Sequence, residues 1–531
     1  DALNNTGGAV MGLGRPSPDP PQTLRRLLRS NHFCIGVKRG KRYVCGGDAG
    51  EEEVGKAIEM LVEAIRRLLR WRVWNDWWVV GWMNEWLMAR DRLETGLRDK
   101  YSKKVINAVT GLVDKFINYN GDLWRYWKTV GDEVKGLIED LLNGRAEVVV
   151  RNKGVSIYNE HVTLIINKPN NITNNITVHL KLKGLKSVNI KVPNIFRMVM
   201  NDKEYARFIR RILKMLRAGM EDSDGYINSK NDDKATMMTT QVWQAIYWSI
   251  LYFGTIHVDI AEINVNKDSV SISWRIRTDK RSLKGKVLNI NEREQILAYI
   301  FSVILGDGDA GFHKVKKKSN NKVYDEPYID ISASEKKVKK ILKITEKLEE
   351  MGFKHGKPSY NNASSAIYIR FSDRYAIGLG KAMIDVLPQI IKDIFDAMAF
   401  EKWLRIKQIA NKSLKRISTQ VDIMGYKFMV WARRYTILLV HNAKDETTAK
   451  RLLKTLLEGG IHAHIVEKSL VVIMMRELKK HNEIKMQVIR ALCEKIKYSD
   501  ENRKQVLAKY IKKLRKRVPT KGAAAGLRTV Y

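Results

Sequence analysis

Cysteine is scarce in this chain and acidic residues are outnumbered. Cys34, Cys45 and Cys493 are the only three in 531 residues, too few for a disulfide framework. Cys34 and Cys45 flank Lys38-Arg39-Gly40-Lys41-Arg42 and lack the partner pair that a zinc site needs. A reducing, cytoplasmic compartment is therefore expected. No stretch reads as a membrane span: the nearest, Val242 to Val258, is interrupted by Gln244, Ser249 and His257 and suits a buried helix. Nothing in the first residues resembles a signal peptide. The phosphate-cradling pattern Gly-x-x-x-x-Gly-Lys-Ser/Thr is missing, which excludes a nucleotide-driven motor of that class.

What is present is positive charge on a foldable chain. Lys and Arg number 96 against 58 Asp and Glu, a formal net charge of +38, with a sequence pI near 9.9. A hydrophobic share of 44% excludes wholesale disorder. Such a field attracts polyanions, so nucleic acid is the expected partner and a membrane is not. The length allows three or four domains with real cores.

The pattern along the chain divides it. Residues 1–50 are rich in Gly, Pro and Asn and read as a flexible segment. Residues 51–143 are helical, with Trp71, Trp74, Trp78, Trp82 and Trp86 spaced to lie on one helix face. That stripe could stack bases, but its density favours a core or a protein interface. Residues 144–285 form an α+β module, in which Asp222-Ser223-Asp224-Gly225 lacks the downstream Glu of a calcium loop and reads as a turn. Residues 286–416 follow the order α-β-β-α-β-β-α. The same order returns, degenerate, over 417–498, and 499–531 is a basic helical tail. The fold class is α+β.

The sharpest signal is Leu305-Gly306-Asp307-Gly308-Asp309. It ends the apolar run Ile296-Leu297-Ala298-Tyr299-Ile300-Phe301-Ser302-Val303-Ile304 and precedes a lysine-studded strand, Ala310 to Lys318. A carboxylate at a helix tip beside a basic strand can hold a divalent cation against a phosphodiester. The competing reading is a helix cap followed by a solvated strand.

Ile300-Phe301-Ser302-Val303-Ile304-Leu305-Gly306-Asp307-Gly308 resembles the Leu-Gly-Asp-Gly motifs of the LAGLIDADG homing-endonuclease and maturase family. Lys381-Ala382-Met383-Ile384-Asp385-Val386-Leu387 and Phe400 to Asn411 resemble that family's lysine-led segment and the helix after its sheet. The resemblance covers 291–416 and, by pattern alone, 417–498. The whole chain also resembles a paralogous, repeat-associated crenarchaeal family of unclear role. The LAGLIDADG resemblance implies an αββαββα pseudo-repeat packed through motif helices, with sheets forming a saddle on DNA. It implies Asp307 as a Mg2+ ligand and Lys381 as the basic residue near the scissile phosphate. His313, Lys314, Lys316, Lys317, Lys318, Tyr328, Lys357 and Arg370 become candidate nucleic-acid contacts. Successive strand residues face opposite sides, so the lysines and His313 cannot all point to the same surface. DNA is the expected partner ahead of RNA.

One element is missing. A second acid at a second helix tip is needed, and Ile394-Phe395-Asp396-Ala397-Met398-Ala399 places Met398 where it should stand. The sequence therefore allows a monomer with decayed pseudo-twofold symmetry, or a homodimer supplying Asp307 twice. An RNA-binding maturase-like factor and a non-catalytic architectural protein are the alternative readings.

Overall fold

The computed structural model describes residues 20–515 except 41, 170–174, 201, 230–231, 287–289, 317–322, 362–365, 413–419, 433–435, 479 and 498–500. The chain divides into two compact units, Asp1–Ala410 and Asn411–Tyr531. The boundary drawn from sequence at 285 therefore falls inside the first unit.

That unit opens with α1 (Pro20–Leu28), the hairpin β1 (His32–Arg39) and β2 (Arg42–Asp48), and three helices, α2 (Glu51–Trp71), α3 (Trp77–Leu97) and α4 (Lys103–Leu142). The tryptophans do not share one helix as expected. The chain leaves α2 at Arg72, whose φ of 41° is left-handed, and re-enters a helix only at Trp77. Trp78 and Trp86 are fully buried, and Trp86 stacks on Phe116 with ring centroids 4.5 Å apart. Aromatic area this large is core material. β3 (Glu147–Arg151), β4 (Gly154–Tyr158), β5 (Val162–Asn167), β6 (Thr177–Leu182) and β7 (Val188–Val192) follow, then α5 (Ile195–Val199).

Next come two repeats of one motif. The first is α6 (Lys203–Ser223), β8 (Gly225–Ser229), β9 (Asp232–Thr239), α7 (Val242–Leu251), β10 (Gly254–Val265) and β11 (Val270–Arg281). The second is α8 (Arg293–Gly306), β12 (Asp309–Lys316), β13 (Val323–Ser334), α9 (Glu335–Glu350), β14 (Ser359–Asn361) and β15 (Ala366–Ser372). α10 (Arg374–Val386), α11 (Gln389–Met398) and α12 (Glu401–Asn411) complete the helices of this part. The strand orders coincide: β8-β9-β11-β10 in one, β12-β13-β15-β14 in the other. The first set continues through β10 into an eleven-stranded sheet ordered β2-β1-β3-β4-β5-β6-β10-β11-β9-β8, with β7 also paired to β10. Its long extension hid the first repeat from the sequence reading, which assigned α6 to a separate module.

α8 is buried along its whole length from Ile296 to Leu305, as an all-apolar helix must be. It packs on α6 through small residues. A Cβ on Gly219 would lie 2.3 Å from the Tyr299 carbonyl oxygen and 2.9 Å from Ser302 Cβ. A Cβ on Gly306 would meet Ser223 Oγ at 2.2 Å. Phe301 points the other way, with its ring 6.1 Å from those of Phe395 and Trp403, so its bulk does not obstruct the helix pair.

This close approach makes a stability prediction. Ala gains up to about 1 kcal/mol over Gly inside a helix, but backbone at 2.3 Å cannot yield. Gly219→Ala should therefore destabilise by about 1–3 kcal/mol, the usual range for overpacking. Gly136 on α4 has open space around the same position, so Gly136→Ala should stabilise. Denaturant melts of both variants decide it, and equal signs would refute the packing account.

The second unit holds β16 (Gln420–Ile423), β17 (Tyr426–Ala432), β18 (Ile437–Asn442), α13 (Glu446–Glu458), β19 (His464–Val466), β20 (Leu470–Met474), α14 (Met475–Leu478), α15 (Asn482–Lys497) and α16 (Glu501–Arg515). Its sheet runs β16-β17-β18-β20-β19, so the order of the two earlier sheets recurs beside one added strand. Phe428, Leu439, Leu452, Ile473 and Leu492 build its core.

Cys34 and Cys45 are joined in a disulfide between adjacent antiparallel strands, Cα atoms 5.3 Å apart. The sequence reading, too few cysteines for a disulfide framework, assigned this pair no bridge; neighbouring strands bring two residues eleven apart within bonding range. Among the described residues, no helix is long and apolar enough to cross a membrane.

Candidate active site

A second carboxylate, Asp224, stands at the end of the neighbouring helix. It caps the C-terminus of α6 as Asp307 caps that of α8. The segment that reads from sequence as a plain turn is the end of a second buried-helix motif, Gly219 to Gly225. Both ends are built alike. A Cβ on Gly225 would lie 2.6 Å from Glu221 Cα, and one on Gly308 would lie 2.6 Å from Ile304 Cα, four residues back in each case. Only glycine lets the chain turn so tightly off the helix into a strand. The Ile394–Ala399 segment is not the partner, because α11 packs on α3 there and a Gly96 Cβ would touch Ala397.

Each acid near the α6 tip has a distinct task. Glu221 is 1% exposed and accepts hydrogen bonds from Tyr252, Ser282 Oγ, Leu283 N (2.7 Å) and Lys284 N (3.0 Å). It fixes the connection that leads from β11 to α8, and burial pushes its carboxyl pKa up. Asp222 accepts from Tyr299 Oη (2.9 Å), Gly285 N (3.1 Å) and Lys340, clamping α6 to α8 and α9. Asp224 is the one turned toward the other helix tip. A Cβ on Gly306 would lie 2.8 Å from its Oδ2.

Electrostatics follow from that placement. The Asp224 carboxyl is pushed up to about 6, first by burial and then by the negative charge of Asp307, against the opposing pull of Lys402, the Gln244 hydrogen bond and Lys337. Gln244, on α7, donates to Asp224 and accepts from Thr239. Two ammonium groups lie at the helix tips. Lys337 on α9 donates to Asp307 Oδ2 (3.0 Å) and to the Ser223 carbonyl (3.1 Å), joining the end of α6 to the acid of α8. Lys402 on α12 donates to the carbonyls of Ile304 (3.2 Å), Leu305 (2.8 Å) and Gly306 (3.0 Å). It caps the unpaired end of α8, where the helix dipole favours a cation, and burial lowers its pKa.

The sign of the pH dependence is fixed by these shifts. A carboxyl whose pKa rises from 3.8 to about 6 on folding makes the folded state bind the extra proton. Its stabilising contribution is present below the unfolded pKa and lost as pH rises through about 6. Asp307→Asn removes the second cause and leaves the first. The Asp224 pKa should therefore fall from about 6 yet stay above the ordinary carboxylate value. Carbon-detected NMR titration of the Asp224 carboxyl measures it; an unchanged midpoint would mean that the two acids do not interact.

The other candidate residues separate by strand face. Gly311 pairs with Tyr328, Tyr328 with Ser372 and Asp330 with Arg370. The Tyr328 ring lies 5.6 Å from that of His313 and 4.6 Å from the Arg370 guanidinium. His313, Tyr328 and Arg370 thus share the sheet face away from the buried Ala310, Ile329 and Phe371. Lys357, Ser359, Tyr368, Arg370 and Ser372 line a groove of about 800 Å³ on it. Lys314 and Lys316 have the opposite parity and share the side of Ala310, so they leave the set grouped on that face. Lys317 and Lys318 lie outside the described residues. Arg370 holds Asp330 bidentately at 2.8 and 2.6 Å, and His313 lies 3.2 Å from Glu326. Lys381 is exposed on α10 and makes no ion pair with Asp307 among the described residues; that role falls to Lys337.

Lys337 and Lys402 were not singled out from sequence. Lys402 lies in the segment Phe400–Asn411 but carries no mark distinguishing it from its neighbours. Asp224 had a usable signal: an Asp-Gly step ends α6 as it ends α8, and each is followed by β-β-α-β-β. Lys214, Arg217, Glu221 and Asp222 interrupt the apolar pattern of α6 and concealed it.

No family model matches the chain, and no curated protein does. Among solved structures, the meganuclease I-SmaMI bound to uncleaveable DNA aligns at 10% identity over 36% of this chain and 97% of that one, with a TM-score of 0.20. The I-LtrWI LAGLIDADG homing endonuclease bound to target DNA aligns at 10% identity over 43% and 99%, with a TM-score of 0.15. At such scores the alignments carry no argument, and the site rests on the geometry of its own residues.

Proposed function

We propose that this chain is a DNA-binding protein of the LAGLIDADG type, in which Asp224 and Asp307 hold a divalent cation such as Mg2+ for hydrolysis of a phosphodiester bond. One observation carries the reading: two α-β-β-α-β-β repeats pack through α6 and α8, and the acids at the ends of the two helices lie close enough for the charge of Asp307 to raise the Asp224 pKa. On this reading one chain supplies both halves, with no need for a homodimer. The donor set fits a hard cation, being oxygen throughout: two carboxylates beside helix-end carbonyls, with no thiol or imidazole. A bound cation would offset charge on the phosphate and acidify a water. The protein's own groups do the positioning. Gln244 orients Asp224, Lys337 orients Asp307, and Lys402 fixes the tip of α8. The open sheet faces, with Arg370, Lys357, Tyr328 and His313 on the second repeat and Arg275 and Arg277 on the first, would take the nucleic-acid backbone.

A second reading is favoured by a specific contact. Lys337 already neutralises Asp307, and Lys402 already occupies the carbonyls at the α8 tip. The chain would then bind nucleic acid, DNA or RNA, without cutting it, the two ammonium groups serving as permanent counterions. Incubating the full chain with a randomised duplex library, with and without Mg2+, and sequencing the ends separates the two. Mg2+-dependent breaks at recurring sites support cleavage. Binding with no breaks at any Mg2+ concentration selects the second reading.

A further inference from the structure

The two cysteines set aside for want of ligand partners acquire them in the fold. β1 runs parallel to β3, with His32 opposite Glu147, and β2 brings Cys45 to the same place. A ring nitrogen of His32, the sulfur of Cys45 and a carboxylate oxygen of Glu147 all lie within 4.8 Å of one another. Cys34 follows His32 by two residues along β1, on the same strand face, and its sulfur is bonded to that of Cys45. His32 and Glu147 are exposed and, among the described residues, neither has a hydrogen-bond or ion-pair partner. Three ligand types of one metal class, an imidazole, a sulfur and a carboxylate, therefore converge on one spot, and the bond to Cys45 brings the Cys34 sulfur beside it.

We propose that Cys34, Cys45, His32 and Glu147 form a redox-gated site for a borderline cation of the Zn2+ class. Two thiolates, an imidazole and a carboxylate are the donors such a cation takes in four-coordinate sites. In the disulfide form both sulfurs are bonded to each other and the site is closed. Reduction opens it. A phosphine, for example, cleaves the S–S bond, takes an oxygen from water to become the phosphine oxide, and leaves two thiols. Each thiol then loses a proton to solvent as it binds the metal. The site is built on the neighbouring strands β1, β2 and β3 and is independent of the Asp224–Asp307 pair.

The test uses the full chain and Co2+ as probe. Protein reduced with a phosphine and desalted should bind one equivalent of Co2+ and develop an intense sulfur-to-cobalt charge-transfer band, which Zn2+ then abolishes. The same protein left oxidised should show no such band. An all-oxygen site at the helix tips cannot produce it, so the two sites are distinguishable. Cys45→Ser should eliminate the band and Cys493→Ser should leave it unchanged. His32→Ala should weaken Co2+ binding by at least about tenfold, the lower bound for loss of even an outer-shell partner. A reduced chain without the band overturns the proposal whatever the variants do, as does a band that survives Cys45→Ser.

Discussion

If the chain cleaves DNA as proposed, Asp224→Asn and Asp307→Asn should each lower Mg2+-dependent strand cleavage by at least about a thousandfold, or about 4 kcal/mol of transition-state stabilisation, while duplex binding changes less than about tenfold. Each substitution removes one of the two carboxylates at the neighbouring ends of α6 and α8, and an amide cannot replace the charge a hard cation requires. Fold loss is readily distinguished from chemical loss at Asp224. Its ionised form is disfavoured in the folded protein, since its pKa stands near 6. Above that pH Asp224→Asn should be as stable as the parent or more so, and the parent alone should gain stability at this site as pH falls from 7 to 5. Denaturant melts at the two values check this. Cleavage that persists at parental rate in either variant removes the acid pair from the chemistry.

Binding to duplex DNA should weaken about a thousandfold or more between roughly 50 and 200 mM salt. That steepness follows if six or more phosphates are neutralised by Lys and Arg, and a net charge of +38 supplies the groups. Much of the charge on the sheet faces is already committed: Arg370 to Asp330, and Arg275 to Asp259 at 3.0 Å through Nε. Those arginines contribute shape and planar stacking more than net attraction. The steep component must then come from lysines that have no such carboxylate partner among the described residues, Lys357 among them. Fluorescence anisotropy over a salt series gives the slope. A flat line would remove nucleic acid from the account altogether, whether as substrate or as bound partner.

Much of the second repeat was legible in the sequence because local rules decide it. A run from Ile296 to Ile304 that is apolar but for Ser302 marks a buried helix, and Gly306-Asp307-Gly308 ends it sharply. Alternating strands placed the rest. The first repeat was not legible. Its helix α6 buries one stripe, exposes Arg211 and Lys214 and carries the charged Arg217, so it reads as an ordinary amphipathic helix. Only its contact with α8, through Gly219 and Ser302, marks it as the partner. Strand faces were equally undetermined, since period two says that His313 and Lys314 point apart but not which side is covered.

By itself the sequence determined the α+β class, the basic character, the all-apolar α8 and the carboxylate at its tip, because each depends on residues close together in the chain. The tertiary structure decided the rest: Asp224 as the facing acid, Lys337 and Lys402 as their cations, the exposed sheet face and the Cys34–Cys45 pairing. Each joins groups distant in sequence or on different strands. Their proximity is set by the packing of small residues between helices and by strand register, and neither leaves a local trace.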